Sequence, residues 1–437
     1  MAVGEEMKRA GRERSNEMRT INAQRSASRL SPAILAASLI LALGAGSVSA
    51  QVSSSDTAAG YVVLPKIMVH TTGGTPPVDS GGTAIDTIVQ ITNVNQATAV
   101  TVDCWWVNAN KHCGTDRGPI CTTNADCSPG LQCVQGWIPL DFQFTLTPGQ
   151  PVGFLASNGL SALPCDPTFP GIHCIGSAGG SVRPVPEDPF VGELKCLEVD
   201  SDDTPIISND LKVEATIVTT TVGGGVATTA ASYNGVGFTA QAAGSGGPAD
   251  PICLGTPPLG STADCAATYA PCPNVLHLEH FFDGATTELG SIASTELTLV
   301  PCSEDLGSPA DQLDLTVTAN MLVYNEFEQR FSTNSRVQCY QSVRLSDIDT
   351  QPGVAGDQFS IFSVGVEGTI TGQTRIRGIQ GPQGQLGYGL TGVACENHSA
   401  VADGTVLAKT AFNLQHVGFR EDGDAVFRTQ FPQNPPP

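Results

Sequence analysis

The stretch Asp86-Thr-Ile-Val-Gln-Ile-Thr-Asn-Val-Asn-Gln-Ala-Thr-Ala-Val-Thr-Val-Asp-Cys-Trp-Trp-Val107 decides the fold class. Its second half alternates: Val100, Val102, Cys104 and Trp106 fall on one face, Thr101, Asp103 and Trp105 on the other. A period of two is the signature of a β-strand with one buried side. Asn93, Val94 and Asn95 separate this run from the apolar residues before it. Asparagine tolerates turn geometry and bonds its own backbone, so the stretch reads as the opening hairpin of an antiparallel protein.

The same grammar extends in both directions. Tyr61 to Leu64 is an expected first strand, and Lys66 to His70 continues it past Pro65, which suits an edge strand or a bend. Downstream, Leu140, Phe142, Phe144 and Leu146 share one side of a strand, as do Leu194 and Cys196, while Glu193, Lys195 and Glu198 are expected in water. Leu211 to Val218 and Val226 to Phe238 complete about seven to nine strands, the number a sandwich of two antiparallel sheets uses. Residues 241–251 have no periodicity and read as a linker, extended to 272 by Cys253, Cys265 and Cys272. Beyond it, Val275 to Phe282 and seven further runs, the last Ala425 to Phe431, repeat the strand pattern. Val337-Gln-Cys339-Tyr340 echoes Val102-Asp-Cys104-Trp105, a weak internal repeat. The expected architecture is all-β, with two antiparallel β-sandwich domains, Ig-like or jelly-roll-like, over 61–240 and 273–431. Residues 51–60 and 432–437 read as a disordered lead-in and tail. Gly378, Gly381, Gly384 and Gly387 recur every third residue, too briefly for a triple helix, so a hairpin loop is expected there.

The first fifty residues stand apart. Pro32 to Ser49 is a short apolar run rich in Ala and Leu, preceded by Arg25 and Arg29 and ended by Val48-Ser49-Ala50, the pattern of a secretory signal peptide cut after Ala50. The run is too short for a membrane span. Residues 1–50 carry seven of the 21 Lys and Arg and four of the 42 Asp and Glu, which leaves 14 against 38, a net −24 for the remainder. A chain this acidic repels phosphate backbones and anionic lipid, so nucleic acid is excluded as an expected partner. No integral membrane segment is expected after cleavage. The expected location is secreted or periplasmic.

All fourteen cysteines follow the cut: Cys104, Cys113, Cys121, Cys127, Cys133, Cys165, Cys174, Cys196, Cys253, Cys265, Cys272, Cys302, Cys339 and Cys395. An even number in an exported chain points to up to seven disulfides, with Cys104 to Cys196 and Cys165 to Cys174 as the expected pairs. Periodicity stops over 111–136, where cysteines crowd. Cys121-Thr-Thr-Asn-Ala-Asp126-Cys127-Ser-Pro-Gly130-Leu-Gln-Cys133 resembles short cysteine-rich repeats of secreted proteins. The resemblance covers about twenty residues and implies a small disulfide-held insert with no hydrophobic core of its own. More broadly, the chain resembles uncharacterised exported bacterial proteins with Thr- and Gly-rich strands, a likeness that implies no activity.

Catalytic signatures such as Gly-x-Ser-x-Gly, the phosphate loop, His-Glu-x-x-His and Cys-x-x-Cys are missing from the sequence. The candidate zinc site is His277-Leu-Glu279-His280, where His277 and Glu279 share a strand face and a third ligand comes from elsewhere, His70 or His416. The structural alternative is an exposed polar strand face. Asp200, Asp202 and Asp203, with Asp422 and Asp424, gather hard oxygen ligands in turns that suit calcium, the one cofactor the sequence suggests. Neither group matches a complete calcium loop. Trp105 and Tyr340, set opposite the core face, are candidate binding platforms for sugar or protein, or are covered by another layer. The expected function is a non-enzymatic surface, matrix or binding role, with a cell-surface, matrix or carbohydrate ligand. The alternative is a secreted hydrolase, carbohydrate-active or metal-dependent, on a β scaffold.

Overall fold

Strand Val100–Asn108 and strand Thr83–Asn93 sit in different sheets, so the opening unit is an arch and not a hairpin. The computed structural model describes residues 53–71, 83–115, 118–160, 180–221, 227–256, 264–288, 290–307, 316–352, 358–364, 369–379, 388–419 and 423–428. Sheet I runs Val236–Phe238, Tyr61–Val69, Phe190–Val199, Val100–Asn108, Ile138–Leu146. Sheet II runs Ala227–Asn234, Leu211–Thr221, Thr83–Asn93, Pro151–Leu155. Every pairing in both is antiparallel. Asn93 makes the crossing: its Nδ2 donates to the carbonyls of Thr98 at 2.8 Å and Thr147 at 3.1 Å, and its Oδ1 accepts from Asn95 N at 2.9 Å. The asparagines do form a turn, but one that lays the two apolar faces against each other.

Those faces make the first core. Val89 and Ile91 of sheet II meet Val100, Val102, Cys104 and Trp106 of sheet I, with Phe144, Phe154 and Phe190 around them. Burying a side chain of this size contributes about 1.5–3 kcal/mol. Strand Tyr61–Val69 is interior to sheet I and accommodates Pro65 by a register shift between Leu64 and Ile67, a bend at the residue that cannot donate to the ladder.

The opposite face of sheet I is buried as well. Sheet III, ordered Ala240–Ala243, Ala267–Tyr269, Ile252–Leu254, Asp424–Phe427, Glu304–Asp305, mixes parallel and antiparallel pairs. Its Ile252, Leu254 and Tyr269 share a second core with Tyr61, Trp105, Val107 and Leu197 of sheet I. Residues 241–243, 252–254 and 267–269 of the segment expected as a linker are thus sheet. Glu193 and Lys195, expected in water, are at most 1% exposed because this third layer covers them; Glu198, also expected in water, is buried on the other face, opposite Val102, where it accepts from Asp210 N at 2.6 Å.

The remaining strands form sheet IV (Arg330–Gln338, Thr316–Asn325, Thr371–Ile379, Pro273–Phe281, Gln415–Phe419) and sheet V (Gln341–Arg344, Ser291–Pro301, Leu390–Ala400, Val406–Asn413), both antiparallel. Leu276, Leu278, Met321 and Ile376 of sheet IV meet Leu297, Leu299 and Ala394 of sheet V in a third core. The all-β class is observed. The described residues after position 50 belong to one compact unit, with sheet III drawing strands from both halves of the chain.

Among the described residues, five disulfides are present: Cys104–Cys196, Cys113–Cys127, Cys121–Cys133, Cys253–Cys265 and Cys272–Cys302. The first joins directly opposed residues of neighbouring strands in sheet I, as expected. Cys165 and Cys174 lie outside the described residues, as do residues 1–50, 380–387, Asp422 and the tail. Cys339 and Cys395 depart from the expectation, being buried thiols. The proposed internal repeat breaks at the same place. Strand Arg330–Gln338 ends before Cys339, whose φ of 57° puts it in a turn, whereas Cys104 is mid-strand.

Candidate functional site

Among the described residues, a cleft of about 800 Å³ lies on sheet IV, walled on one side by sheet V. Strand alternation builds it. Leu276 and Leu278 point into the core, which turns His277, Glu279 and Phe281 outward. Register then aligns Tyr324, Gln373 and Glu279 as a row across three neighbouring strands, since Tyr324 opposes Gln373 and Gln373 opposes Glu279. Adjacent residues on one face of a sheet stand close enough to act together. Arg375 lies over the Tyr324 ring, 6.0 Å from its centroid. Sheet V adds Glu396, Phe412 and Asn413.

The cleft is rich in acceptors. Glu326 takes backbone N–H bonds from Ile370 at 2.9 Å and Thr371 at 3.1 Å. Its slight burial would raise its carboxyl, but those donations outweigh it and hold the group below the ordinary range, so it stays ionised. Glu396 contacts His398 Nε2 at 2.7 Å. Asn413 donates through Nδ2 to Asn234 O at 2.6 Å, and its buried Oδ1 has no hydrogen-bond partner. Aromatic faces beside planar amides and carboxylates are the equipment that binds polyhydroxylated ligands, apolar ring faces stacking while hydroxyls donate.

The sequence-derived metal sites do not assemble. His277 Nε2 lies 3.8 Å from Glu279 Oε1, but His280 points the other way. Its Nε2 contacts Thr374 Oγ1 at 2.9 Å, its ring packs near Phe282 and Phe362, and burial lowers its pKa to about 4. His416 contacts Ser53, and His70 lies beside Asp188, 3.6 Å from its carboxylate. Among the described residues, the only His, Cys, Asp and Glu trio with ligand atoms within 4.8 Å is Cys113, Cys121 and Cys127, and all three are in disulfides. Asp200, Asp202 and Asp203 therefore do not converge. Asp200 Oδ1 closes its own turn by accepting from Asp202 N and Thr204 N, and Asp203 accepts from Gln143. Asp424 is buried and accepts from Ser303 Oγ at 2.9 Å and Gly389 N at 3.0 Å.

Of the two readings of Trp105 and Tyr340, coverage by another layer is the one observed. Trp105 is 1% exposed beneath sheet III, and Tyr340 is buried in the same core. Tyr324, Gln373, Glu326 and Glu396 were not singled out by sequence, although alternation over Thr316–Asn325 puts Tyr324 on the polar face. Nothing local in the sequence shows that four strands bring these residues to one cleft.

Lys66, Glu296, Ser342 and Cys395 line a second cleft of about 340 Å³. Lys66 Nζ is 2.8 Å from Ser342 Oγ, but this is no Ser–Lys hydrolase pair. Burial alone would lower the lysine; the Glu296 carboxylate overrides it and raises Lys66 above the ordinary range, so it cannot serve as a base near neutrality. Burial pushes the Cys395 thiol up to about 11, which leaves it inert.

The fold and cleft thus define a disulfide-bonded, all-β protein, and among the described residues no helix is long and apolar enough to cross a membrane. No family model matches the chain, and no curated protein matches it. Among solved structures, the CupB6 tip adhesin of Pseudomonas aeruginosa is similar at 13% identity over 84% of this chain and 99% of that one, with a TM-score of 0.13. The CFA/I adhesin CfaE of enterotoxigenic E. coli aligns at 9% identity over 86% and 95%, with a TM-score of 0.12. At those scores neither likeness bears on the fold or the function of this chain.

Proposed function

We propose that the chain is an exported, non-enzymatic binding protein of the cell surface or extracellular matrix, and that the sheet IV cleft holds a carbohydrate ligand. In this reading residues 1–50 are the signal peptide. The sheet pairs I/II and IV/V are two sandwich units joined through sheet III, and the disulfides belong to a secreted or periplasmic setting. One observation carries it: the row Tyr324–Gln373–Glu279, which sets a ring face, an amide and a carboxylate side by side in an open cleft. A glycan array probed with the mature chain tests it. Binding that is lost in Tyr324→Ala, with Tm unchanged, supports the reading, and no binding to any glycan overturns it.

The hydrolase alternative is favoured by a separate observation, that Glu279, Glu326 and Glu396 line the same cleft. Glycosidases work with two carboxyl groups flanking the scissile bond. Prolonged incubation with a bound glycan distinguishes the two readings: an intact ligand supports the binding protein, and released sugar that disappears in Glu279→Gln supports the enzyme.

A further inference from the structure

Lys195 is buried between two glutamates. Its Nζ contacts the Glu304 carboxylate and lies 2.7 Å from Glu193 Oε1, and all three side chains are at most 1% exposed. Lys195 and Glu193 lie on strand Phe190–Val199 of sheet I, whereas Glu304 belongs to sheet III, 109 residues further along. The Trp137 ring lies against the ammonium, 5.3 Å from centroid to Nζ, and Tyr61 Oη donates to Glu304 Oε1 at 2.9 Å. Val63, Phe238 and Leu254 close the surroundings.

With all three groups ionised, the site would hold a net negative charge in a dry interior, an arrangement that costs several kcal/mol. Glu193 is the worst placed. Fully buried, it has only the Lys195 ammonium 2.7 Å away to offset its charge, and it shares that ammonium with Glu304. Burial raises its carboxyl against the opposing pull of Lys195. Moving a proton from lysine to carboxylate leaves a neutral amine beside a neutral acid, the reactive forms for condensation.

We propose that Lys195 and Glu304 join spontaneously in an intramolecular isopeptide bond, with Glu193 as the proton carrier. The Nζ lone pair attacks Cδ of protonated Glu304, forming the N–Cδ bond. Glu193 takes a proton from Nζ and delivers it to Glu304 Oε2, whose bond to Cδ breaks to release water. Oε1 remains as the amide carbonyl and keeps the Tyr61 hydroxyl, which stabilises the charge on that oxygen during attack. Amine and acid become amide and water, Glu193 is regenerated, and no oxidant is required. The bond welds sheet I to sheet III and removes two buried charges. The Lys66–Glu296 pair serves as an internal contrast. Among the described residues Glu296 is the one carboxylate paired with Lys66, at 2.7 Å, Ser342 donates to it at 2.6 Å, and that pair stays ionic.

Intact-mass measurement of the mature chain after disulfide reduction tests the proposal. The expected mass is one water below that of the reduced sequence, with trypsin unable to cleave at Lys195 and a branched peptide joining the segments that contain Lys195 and Glu304. In Glu193→Gln, with its disulfides intact, the full mass returns. A wild-type chain at full mass with Lys195 open to trypsin overturns the proposal, as does a water loss that maps elsewhere. A branched peptide that persists in Glu193→Gln overturns the role of Glu193. If that variant fails to fold, the wild-type peptide map alone decides the bond.

Discussion

Lys66 Nζ lies 2.7 Å from Glu296 Oε1, an ion pair that ties sheet I to sheet V with side chains 1% and 14% exposed. Ser342 completes it, 2.8 Å from Nζ and donating to Glu296 at 2.6 Å. The pair shows why the two halves behave as one unit: their contact carries charges that neither half can leave uncovered.

Removing one partner strands the other in a site built to exclude water. Lys66→Ala is expected to cost about 3–5 kcal/mol, as is typical when a buried pair is broken. The double change Lys66→Met with Glu296→Leu is expected to recover most of that loss. Urea midpoints of the three variants check it, and a single change costing no more than an exposed pair does would contradict it.

Stability should peak between two titrations of opposite sign. Burial raises Glu198 from its ordinary 4.5 to about 8, against backbone donation from Asp210. The folded chain therefore binds a proton that the unfolded chain has lost, and stability falls as pH rises through about 8. His280 runs the other way. Burial lowers it from 6.5 to about 4, so the folded chain resists a proton that the unfolded chain takes, and stability falls as pH drops from 6.5 toward 4. Between about 4.5 and 6.5 the two slopes oppose each other, so Glu198→Gln is expected to remove the Tm profile's decline toward pH 8 and to let stability go on rising up to about 6.5. A wild-type profile flat from pH 4 to 9 would contradict both assignments.

The disulfides should differ in reach. Cys104–Cys196 spans 92 residues and lies in the first core. Replacing both cysteines with Ala is expected to cost about 2–5 kcal/mol globally. Cys113–Cys127 holds only the small insert, which is moored to the rest of the chain by His112 Nε2, 3.1 Å from Glu187 Oε2. Its removal should loosen residues 111–136 to proteolysis while the main transition moves little. Limited digestion alongside calorimetry separates the two cases.

The strands were legible because a period of two is a local property: Val100, Val102, Cys104 and Trp106 face a core as read. What covers a strand's second face is not local. Glu193 and Lys195 read as solvent-facing, and Trp105 as either exposed or covered, because alternation reports two sides without saying how many layers stack on them. The third layer comes from Ile252–Leu254 and Ala267–Tyr269, short segments that show no periodicity, and from Asp424–Phe427, a strand legible as such but not as part of a third layer. The Asn93 turn was legible as a turn, but whether it reverses within a sheet or crosses between sheets depends on partners more than a hundred residues away. The cleft was half legible. His277 and Glu279 line it, while Tyr324 and Gln373 reach it only through the register of sheet IV.

Stacking of layers on both faces of sheet I is the central claim, and the tryptophans report on it directly. Trp105 faces sheet III, Trp106 faces sheet II, and Trp137 lies in the second core, each at most 2% exposed. Iodide quenching of native fluorescence is the measurement: blue-shifted emission almost untouched by iodide is the expected result, because the chain has only these three tryptophans. Emission at the wavelength of free indole, with a substantial fraction quenched before denaturation, would contradict it.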